Sequence, residues 1–578
     1  VSAAARAGRE GARLLLVGAL LAAAVVLLYL PAFHYPYISI DDRTLAEQNP
    51  LQPPPGAAED AGRGLFSLHQ GYWAPVTWLS FVVERRLFGE APAVSHASNV
   101  LLHAANAALL LALLARLTGR LWPAALAAAI FAVHPAHVES VAWVAERKDV
   151  LSTLLGLGAL LAYLGWVRRP RAGAAGTPWA ALALFALSLA AKPMLVLLPL
   201  LLLLLDWWPL GRLRRGAVRA ALAEKLPFAA LSVVFAALTA AGQAGNLATV
   251  AAVPLATRFS YALVAPVRYL GTFLWPAGLA FAYPVRLHPY PAWLVALAPA
   301  AVAAALWWAL RGRARRPWAL AGLAWYLATL VPVSGIAQAG LTVVMDRVVY
   351  VPGIGLGLAL AGGLGALSGG GARRGALAAV AAAGLAAVVA LAAVSARQIA
   401  YWKDDCALFG RTVAVAPDSE TGHWNLAVCL LERGDGGGAL DHARTAAGLA
   451  PASGLAAFRL GTVYDSLGRY PEAVESFSRA LALDPRVPGA RAALGVALGA
   501  LGRHEESVGH LREARRLDPG SAAVAYNLGV ALLKLGRPAE AIPPLEDAVR
   551  LDPTDERAGH NLGVARRLAA GAVGGGAR

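Results

Sequence analysis

Two adjacent carboxylates, Asp41 and Asp42, follow the first long apolar run of the chain, in the stretch Tyr35-Pro36-Tyr37-Ile38-Ser39-Ile40-Asp41-Asp42. Asp42 has an ordinary explanation as the cap of a helix beginning at Arg43. Asp41 has none: among aromatics at a hydrocarbon boundary, burial would raise its pKa and suit it to take a proton from an attacking hydroxyl. A second group lies in FAVHPAHVESVAWVAERKD, residues 131–149. There Glu139, Trp143 and Glu146 share a helical face, and Arg147, Lys148 and Asp149 close the segment where the next apolar run begins. Lys192 and the pair Asp346-Arg347 also sit at the ends of apolar runs. Cations at such a boundary are costly unless they meet an anion. A base beside several cations suits a lipid-linked phosphate, because phosphate departs as an anion and needs positive charge but no general acid. His134, His137 and Glu139 are metal-ligand types, but Pro135 and the spacing do not fit a zinc helix such as H-E-x-x-H, so no metal site is expected.

The elements that must position these residues are membrane helices. The chain has 578 residues, 58% hydrophobic and only 15% charged, with a mean hydropathy of +0.56. A soluble protein carries about 25% charged residues, and a hydrocarbon core is spanned by about 20 apolar ones. Candidate spans lie near 13–31, 95–116, 121–134, 149–167, 178–192, 193–209, 226–243, 292–310, 317–334, 349–368 and 375–395. The first reads as a retained anchor, since its apolar stretch from Leu14 to Phe33 is too long for a signal peptide and no small-residue cleavage site follows. The net charge of +16 would suit nucleic acid, but the arginines cluster in short loops: Arg6, Arg9 and Arg13; Arg168, Arg169 and Arg171; Arg212, Arg214, Arg215 and Arg219; Arg311, Arg313, Arg315 and Arg316; Arg373 and Arg374. The positive-inside rule makes these loops cytoplasmic and removes the need for a nucleic-acid partner. Parity then makes 258–276, which carries Arg258 and Arg268, an interfacial or re-entrant helix. It places 32–94, 135–148, 244–291, 335–348 and everything after about 396 outside, so every candidate catalytic residue faces outward. Segment 71–89, with Glu84, Arg85 and Arg86, reads as a surface helix. His96, Asn99, His103 and Asn106 fall on one face of a span and read as interhelical hydrogen-bond formers.

The tail repeats with a step of 34: Pro417, Pro451, Pro485, Pro519 and Pro553, with Gly468, Gly502 and Gly536, and Gly461, Gly495, Gly529 and Gly563 in phase. This is the tetratricopeptide period, four helix pairs from about 419 to 554 and a closing helix, the first pair the most degenerate at Gly434-Asp435-Gly436. The last series lets paired helices approach closely. Such a solenoid offers a concave surface to an extended peptide and holds no evident reaction chemistry. The two cysteines, Cys406 and Cys429, fall outside, where a disulfide is permitted, although the apolar position of Cys429 reads more simply as a buried thiol.

The expected fold is therefore all-α: a polytopic bundle of about 11 spans over 1–398 and a solenoid over 399–578. Asp41-Asp42, YWAPVTWLSF from Tyr72, SHASNVLLHAANAALL from Ser95, HPAHVESVAWVAERKDVL from His134, KPMLVLLPLLLLLLDWWPLG from Lys192 and MDRVVYVPGIG from Met345 resemble the transmembrane and tetratricopeptide repeat-containing protein O-mannosyltransferases and their bacterial relatives. The resemblance implies a GT-C glycosyltransferase domain that transfers mannose from a polyprenyl-phosphate carrier to serine or threonine hydroxyls. It implies that Asp41-Asp42 hold the catalytic acid position and that Glu139 assists. This chain departs from the pattern with Glu146-Arg147-Lys148-Asp149 in place of Gly-Arg-Ala-Asp, and with Val348 where tyrosine is usual.

The expectation is an inverting transferase with Asp41 as base, and with Asp42 and Glu139 positioning it. Arg147, Lys148, Lys192 and Arg347 would clamp the phosphate, with His134, His137, Asp149 and Asp346 in support. No cofactor is expected beyond the lipid-linked sugar donor, and an acceptor protein would dock on the repeats. Rich use of Ala, Gly and Arg is that of a GC-rich bacterial genome, which would place the protein in an inner membrane with its N-terminus cytoplasmic and its repeats outside. A membrane-anchored scaffold is the alternative, with the solenoid as its sole functional surface. A transporter would instead carry its ionisable residues near the bilayer midplane.

Overall fold

A computed structural model describes residues 3–42, 73–168, 177–213, 217–243, 253–281, 283–284, 289–334, 344–369 and 373–575. Residues 43–72, within the loop expected outside, and Arg169, Arg171, Arg214 and Arg215 are not among them. The described residues form helices and connecting turns, without strands, and divide into two compact units, Val1–Val415 and Ala416–Arg578.

The first unit runs α1 (Ala3–Tyr29), α2 (Pro75–Phe88), α3 (Pro92–Thr118), α4 (Leu121–Ala132), α5 (Val138–Ala142), α6 (Arg147–Val167), α7 (Trp179–Ala191), α8 (Leu198–Trp207), α9 (Val218–Ala223), α10 (Leu226–Gly242), α11 (Leu255–Leu274), α12 (Ala292–Arg311), α13 (Pro317–Leu330), α14 (Pro352–Gly369), α15 (Arg374–Ala400) and α16 (Asp405–Val415). Each of the eleven expected spans is helical. By length and composition seven qualify as crossings among the described residues: Gly8–His34, Pro92–Thr118, Val144–Val167, Val218–Gly242, Ala292–Arg311, Pro352–Gly369 and Arg374–Ala400. Leu121–Ala132 and Pro135–Ala142 make an eighth if counted together, bent by 54° at the His134-Pro135 break. Trp179–Ala191, Leu198–Trp207 and Pro317–Val333 are apolar but shorter. α11, with Pro266 inside it, is not among the spans. The first unit extends past the expected boundary at 398, which falls inside α15. α16 belongs with it because Phe409 packs on Phe281 and Asp405 accepts the Ser39 N–H at 3.0 Å.

Small residues and buried amides fix the bundle. A Cβ on Gly322 of α13 would lie 2.5 Å from the Ala359 side chain of α14, and one on Gly355 would lie 2.7 Å from Trp325, so the two helices touch backbone to backbone. This contact anchors the turn carrying Asp346 and Arg347, which leads into α14. The polar face of α3 hydrogen-bonds its neighbours, as expected. Asn99 donates to the Trp143 carbonyl (3.1 Å), Asn106 to the Val150 carbonyl (2.8 Å) and His103 Nε2 to the Ala132 carbonyl (3.1 Å). Near the opposite end of α6 from Arg147, Asp206 accepts from Tyr163 (2.8 Å), Arg212 (2.9 Å) and Lys225, and Glu224 pairs with Arg212 at 2.9 Å. Arg212, expected among the arginines of a cytoplasmic loop, is thus tied into a buried ion cluster.

The second unit holds four helix pairs, Glu420–Glu432 with Gly436–Leu449, Gly454–Ser466 with Tyr470–Leu483, Ala490–Ala500 with His504–Leu517 and Ala522–Lys534 with Pro538–Leu551, then Glu556–Gly575. Ser419, Ser453 and Ser521 cap their helices by accepting N–H groups of Gly422, Ala456 and Val524. In the third pair the step puts Val487 at that position, and Gly489, with φ 75°, turns the chain instead. Gly434, Gly468, Gly502 and Gly536 all have φ between 70° and 81°, so the first pair turns like the others. A Cβ on Gly461, Gly495 or Gly529 would meet Phe477 (2.6 Å), Leu511 (2.7 Å) or Leu545 (2.4 Å), the residue 16 positions on in each case. Cys406 and Cys429 are both disulfide-bonded, so the reading of Cys429 as a free buried thiol does not hold.

Gly495→Val should destabilise the solenoid by about 1–3 kcal/mol through overpacking against Leu511. Gly509→Val, where nothing lies within 4 Å of the added Cβ, should cost less than half as much. Thermal unfolding followed by circular dichroism separates the two.

Candidate active site

The segment after α4 folds as a series of short turns because Pro135 cannot continue a helix and His134 caps the next one, its Nδ1 accepting the Ala136 N–H at 3.2 Å. These turns bury Glu139 and Glu146 and start α6 at Arg147. Opposite them, the turn Asp346–Val349 presents Arg347.

Arg347 joins the two carboxylates. Its Nη1 pairs with Glu139 Oε1, its backbone N–H reaches Glu139 Oε2 at 3.0 Å, and its Nε lies 3.2 Å from Glu146 Oε1. Glu146 also meets Lys148 at 3.3 Å and Lys192 at 2.9 Å, and Lys192 continues to Asp149 at 2.5 Å. Ser140 Oγ donates to the other oxygen of Asp149 at 3.1 Å. Three acids and three cations thus form one network of zero net formal charge. The acids are sealed, Glu139, Glu146 and Asp149 being 4, 1 and 1% exposed. Arg347, Lys148 and Lys192 keep 16, 22 and 25% of their side-chain surface accessible. The accessible surface of the cluster is therefore its donor groups. Burial alone would lower the Arg347 pKa, but Glu146 and Glu139 outweigh it and hold the guanidinium charged.

Asp42 and Asp41 take different surroundings. Asp42 is fully buried and accepts the Ile38 N–H at 2.9 Å and the Ala145 N–H at 2.7 Å. Burial pushes its pKa up to about 8 against the lowering effect of those two bonds. Both oxygens are occupied, so Asp42 pins the first loop onto the turn that bears Glu146. Asp41 is partly exposed and has φ 62°, a left-handed conformation that Asp and Asn tolerate better than other side chains. Trp143 links the two regions: its indole N–H donates to the Ile40 carbonyl at 3.1 Å, and its ring lies 5.2 Å from the Arg347 guanidinium carbon.

Other expected site residues stand further back. Arg147 is 2% exposed and turned away from the cation group. It pairs with Glu84 at 2.8 Å, donates to Asn99 at 3.0 Å and lies over the Phe81 ring at 3.8 Å. Glu84, expected on a surface helix, is itself buried and accepts from Ser95 and Ser98 at 2.5 Å each. Asp346 is buried, accepting from Tyr283 at 2.8 Å and from the Ala280 N–H at 3.0 Å, and burial raises its pKa to about 8. His134 Nε2 donates to the Phe273 carbonyl (2.9 Å) and its ring stacks on Phe273, while His137 Nδ1 donates to the Phe131 carbonyl (2.8 Å). Tyr350, which follows Asp346-Arg347 in the same turn, is wholly buried and lies 2.7 and 3.0 Å from His103 and Asn106. Trp143 carried a signal in its shared helical face with Glu139 and Glu146; Glu84, Tyr283 and Asp405 carried none that points to their partners.

Among curated proteins, the chain is 36% identical over 115 residues to protein O-mannosyl-transferase Tmtc2 of Drosophila melanogaster, covering 19% of this chain and 12% of the fly protein. It is 42% identical over 95 residues to Tmtc1 of the same organism, 16% of this chain and 11% of that one, and 38% identical over 96 residues to TMTC2 of Homo sapiens, 17% and 11%. These curated relatives are protein O-mannosyl-transferases. The matched stretches span about an eighth or less of their length. The tetratricopeptide repeat family profile matches residues 407–454, 431–490, 458–522 and 492–556. Among solved structures, MamA of Desulfovibrio magneticus RS-1 is similar at 23% identity over 26% of this chain and 85% of that chain, with a TM-score of 0.25. YrrB, described as a tetratricopeptide protein with an unusual peptide-binding site, is similar at 22% identity over 27% and 80%, with a TM-score of 0.25.

Arg347→Ala leaves Glu139 and Glu146 buried with a partner removed and should cost about 3–5 kcal/mol. The double variant Arg347→Met with Glu139→Met should recover at least half of that. Thermal unfolding of the detergent-solubilised chain measures both.

Proposed function

We propose that this chain is an integral membrane glycosyltransferase that moves a sugar, mannose by similarity to the named relatives, from a polyprenyl-phosphate carrier to serine or threonine hydroxyls of extracytoplasmic proteins. One observation carries the reading: a partly exposed carboxylate, Asp41, sits one residue from a carbonyl held by Trp143, whose ring faces the donor group Arg347. A base and a set of charged donors on one rim serve a transfer reaction, whereas a scaffold has no use for them.

The acceptor hydroxyl attacks the anomeric carbon from the face opposite the phosphate, Asp41 takes its proton, and the carbon–oxygen bond to phosphate breaks with inversion. The phosphate leaves with the bonding pair. Lys148, Lys192 and Arg347 donate hydrogen bonds to the sugar-phosphate as charge develops, and Glu139, Glu146 and Asp149 hold those cations in place. Asp42 fixes the loop that carries the base. Arg147, His134, His137 and Asp346 act through the shape of the site. The repeats present the acceptor protein. Arginine-rich loops at one side of the membrane and disulfide-bonded cysteines support an inner-membrane protein whose repeats lie in an oxidising compartment.

Asp41→Asn keeps the left-handed backbone and the size of the side chain, so the fold should persist while transfer from polyprenyl-phosphate mannose to a serine-containing acceptor falls about 10²–10⁴-fold. Equal rates for the variant and the wild type would remove Asp41 from the reaction.

A further inference from the structure

α12 has little to pack against. Of its 20 residues only Ala298 and Ala309 are buried, so most of its surface is left to lipid. Twenty helical residues rise about 30 Å, the thickness of a hydrocarbon core, which sets the last turn of α12 where acyl chains give way to headgroups. Trp307 and Trp308 occupy that turn, 57 and 44% exposed, with Leu310 beside them at 47%. Four arginines follow within six residues: Arg311, Arg313, Arg315 and Arg316.

The charge of this loop is explained by its side of the membrane. The path of two of its side chains is not. Arg311 reaches back one turn, toward the hydrocarbon, and sets its guanidinium carbon 4.5 Å from the centre of the Trp307 ring. Arg316 returns from the far side of the loop and lies 3.8 Å over Trp308. Gly312 makes that return possible: a Cβ there would stand 2.5 Å from Arg316 Nε and 3.2 Å from its Cγ. The backbone of Gly312 is right-handed, with φ −83°, so any residue could adopt it and only the crossing side chain calls for glycine. Among the described residues neither Arg311 nor Arg316 meets a carboxylate or a hydrogen-bond acceptor. A guanidinium held over an indole by its charge keeps N–H donors for an oxyanion. Two of them, fixed at the depth of lipid phosphates, are complementary to a phosphodiester. A zwitterionic headgroup would bring an ammonium against them, whereas an anionic one would not.

We infer that the last turn of α12 binds an anionic diacyl phospholipid of the phosphatidylglycerol kind, with Arg311 and Arg316 donating to its phosphodiester and its acyl chains lying against the exposed side of α12. The inference needs only that α12 crosses a membrane. It does not depend on the transferase reading, and it leaves Lys148, Lys192 and Arg347 to the sugar donor.

Full-length protein, delipidated in detergent, is titrated with phosphatidylglycerol, phosphatidylcholine or undecaprenyl phosphate, and bound lipid is counted by native mass spectrometry. Wild type should prefer phosphatidylglycerol to phosphatidylcholine by about tenfold or more, and Arg311→Gln with Arg316→Gln should lose that preference. Gly312→Ala keeps every charge and suits the backbone but drives Arg316 off Trp308, so it should weaken phosphatidylglycerol alone by about threefold or more. Arg313→Gln with Arg315→Gln removes as much charge from the same loop and should leave the affinity within about twofold. Equal losses in the two arginine pairs would overturn the proposal, because they mark diffuse attraction to a basic loop. So would an unchanged affinity in Gly312→Ala, or displacement of phosphatidylglycerol by an equal concentration of undecaprenyl phosphate, which marks a phosphomonoester site. Should the Arg311 and Arg316 double variant fail to fold, Gly312→Ala set against the Arg313 and Arg315 variant decides the matter.

Discussion

Glu146 is the residue on which the first unit turns. A carboxylate that is 1% exposed at the edge of an apolar bundle is tolerable only if positive groups replace the water it has lost. Arg347, Lys148 and Lys192 do this, and they arrive from three separate parts of the chain. Meeting the charge of one acid therefore draws together the turn before α14, the start of α6 and the end of α7. Glu139 and Asp149 then balance the surplus that three cations create. The donor-bearing edge of the first unit is a by-product of that neutralisation, and its cations are held in place by the acids behind them.

Local pattern made part of this legible. The 34-residue step located every helix pair of the solenoid, and three of the four pairs repeat the same glycine contact 16 residues across, as in Gly529 against Leu545. Apolar run length located the bundle helices, and the spacing of His96, Asn99, His103 and Asn106 correctly placed them on a face that bonds to neighbouring helices. The different surroundings of Asp41 and Asp42 were not legible locally, since they depend on which of the two accepts the Ala145 N–H, 103 residues away.

What stayed hidden depended on direction and on distant partners. Arg147 and Lys148 are adjacent in sequence, but consecutive helical side chains diverge by roughly 100°. One therefore enters the pocket of Glu84 and Phe81 while its neighbour joins Glu146. Nothing in the local sequence says which. Neutrality of the network is likewise a property of six residues taken together, and the pairing of each cation with a buried acid is not visible in any one segment. The aromatic group of Trp143, Phe281 and Trp402, with rings 5.2 to 6.1 Å apart, joins residues up to 259 positions distant (402 − 143 = 259) and has no periodic signature.

α8 ends early. Its ten residues rise about 15 Å, roughly half of a hydrocarbon core of about 30 Å. The carbonyls and the carboxylate at its C-terminal end would therefore stop at a depth where lipid offers them nothing, and the chain closes that end with its own ions: Asp206 on the last turn, Arg212 and Lys225 folded back over it, and Tyr163 filling the remaining angle. A helix of that length is sealed by its own chain: the carboxylate of its last turn meets a guanidinium, an ammonium and a phenol instead of water.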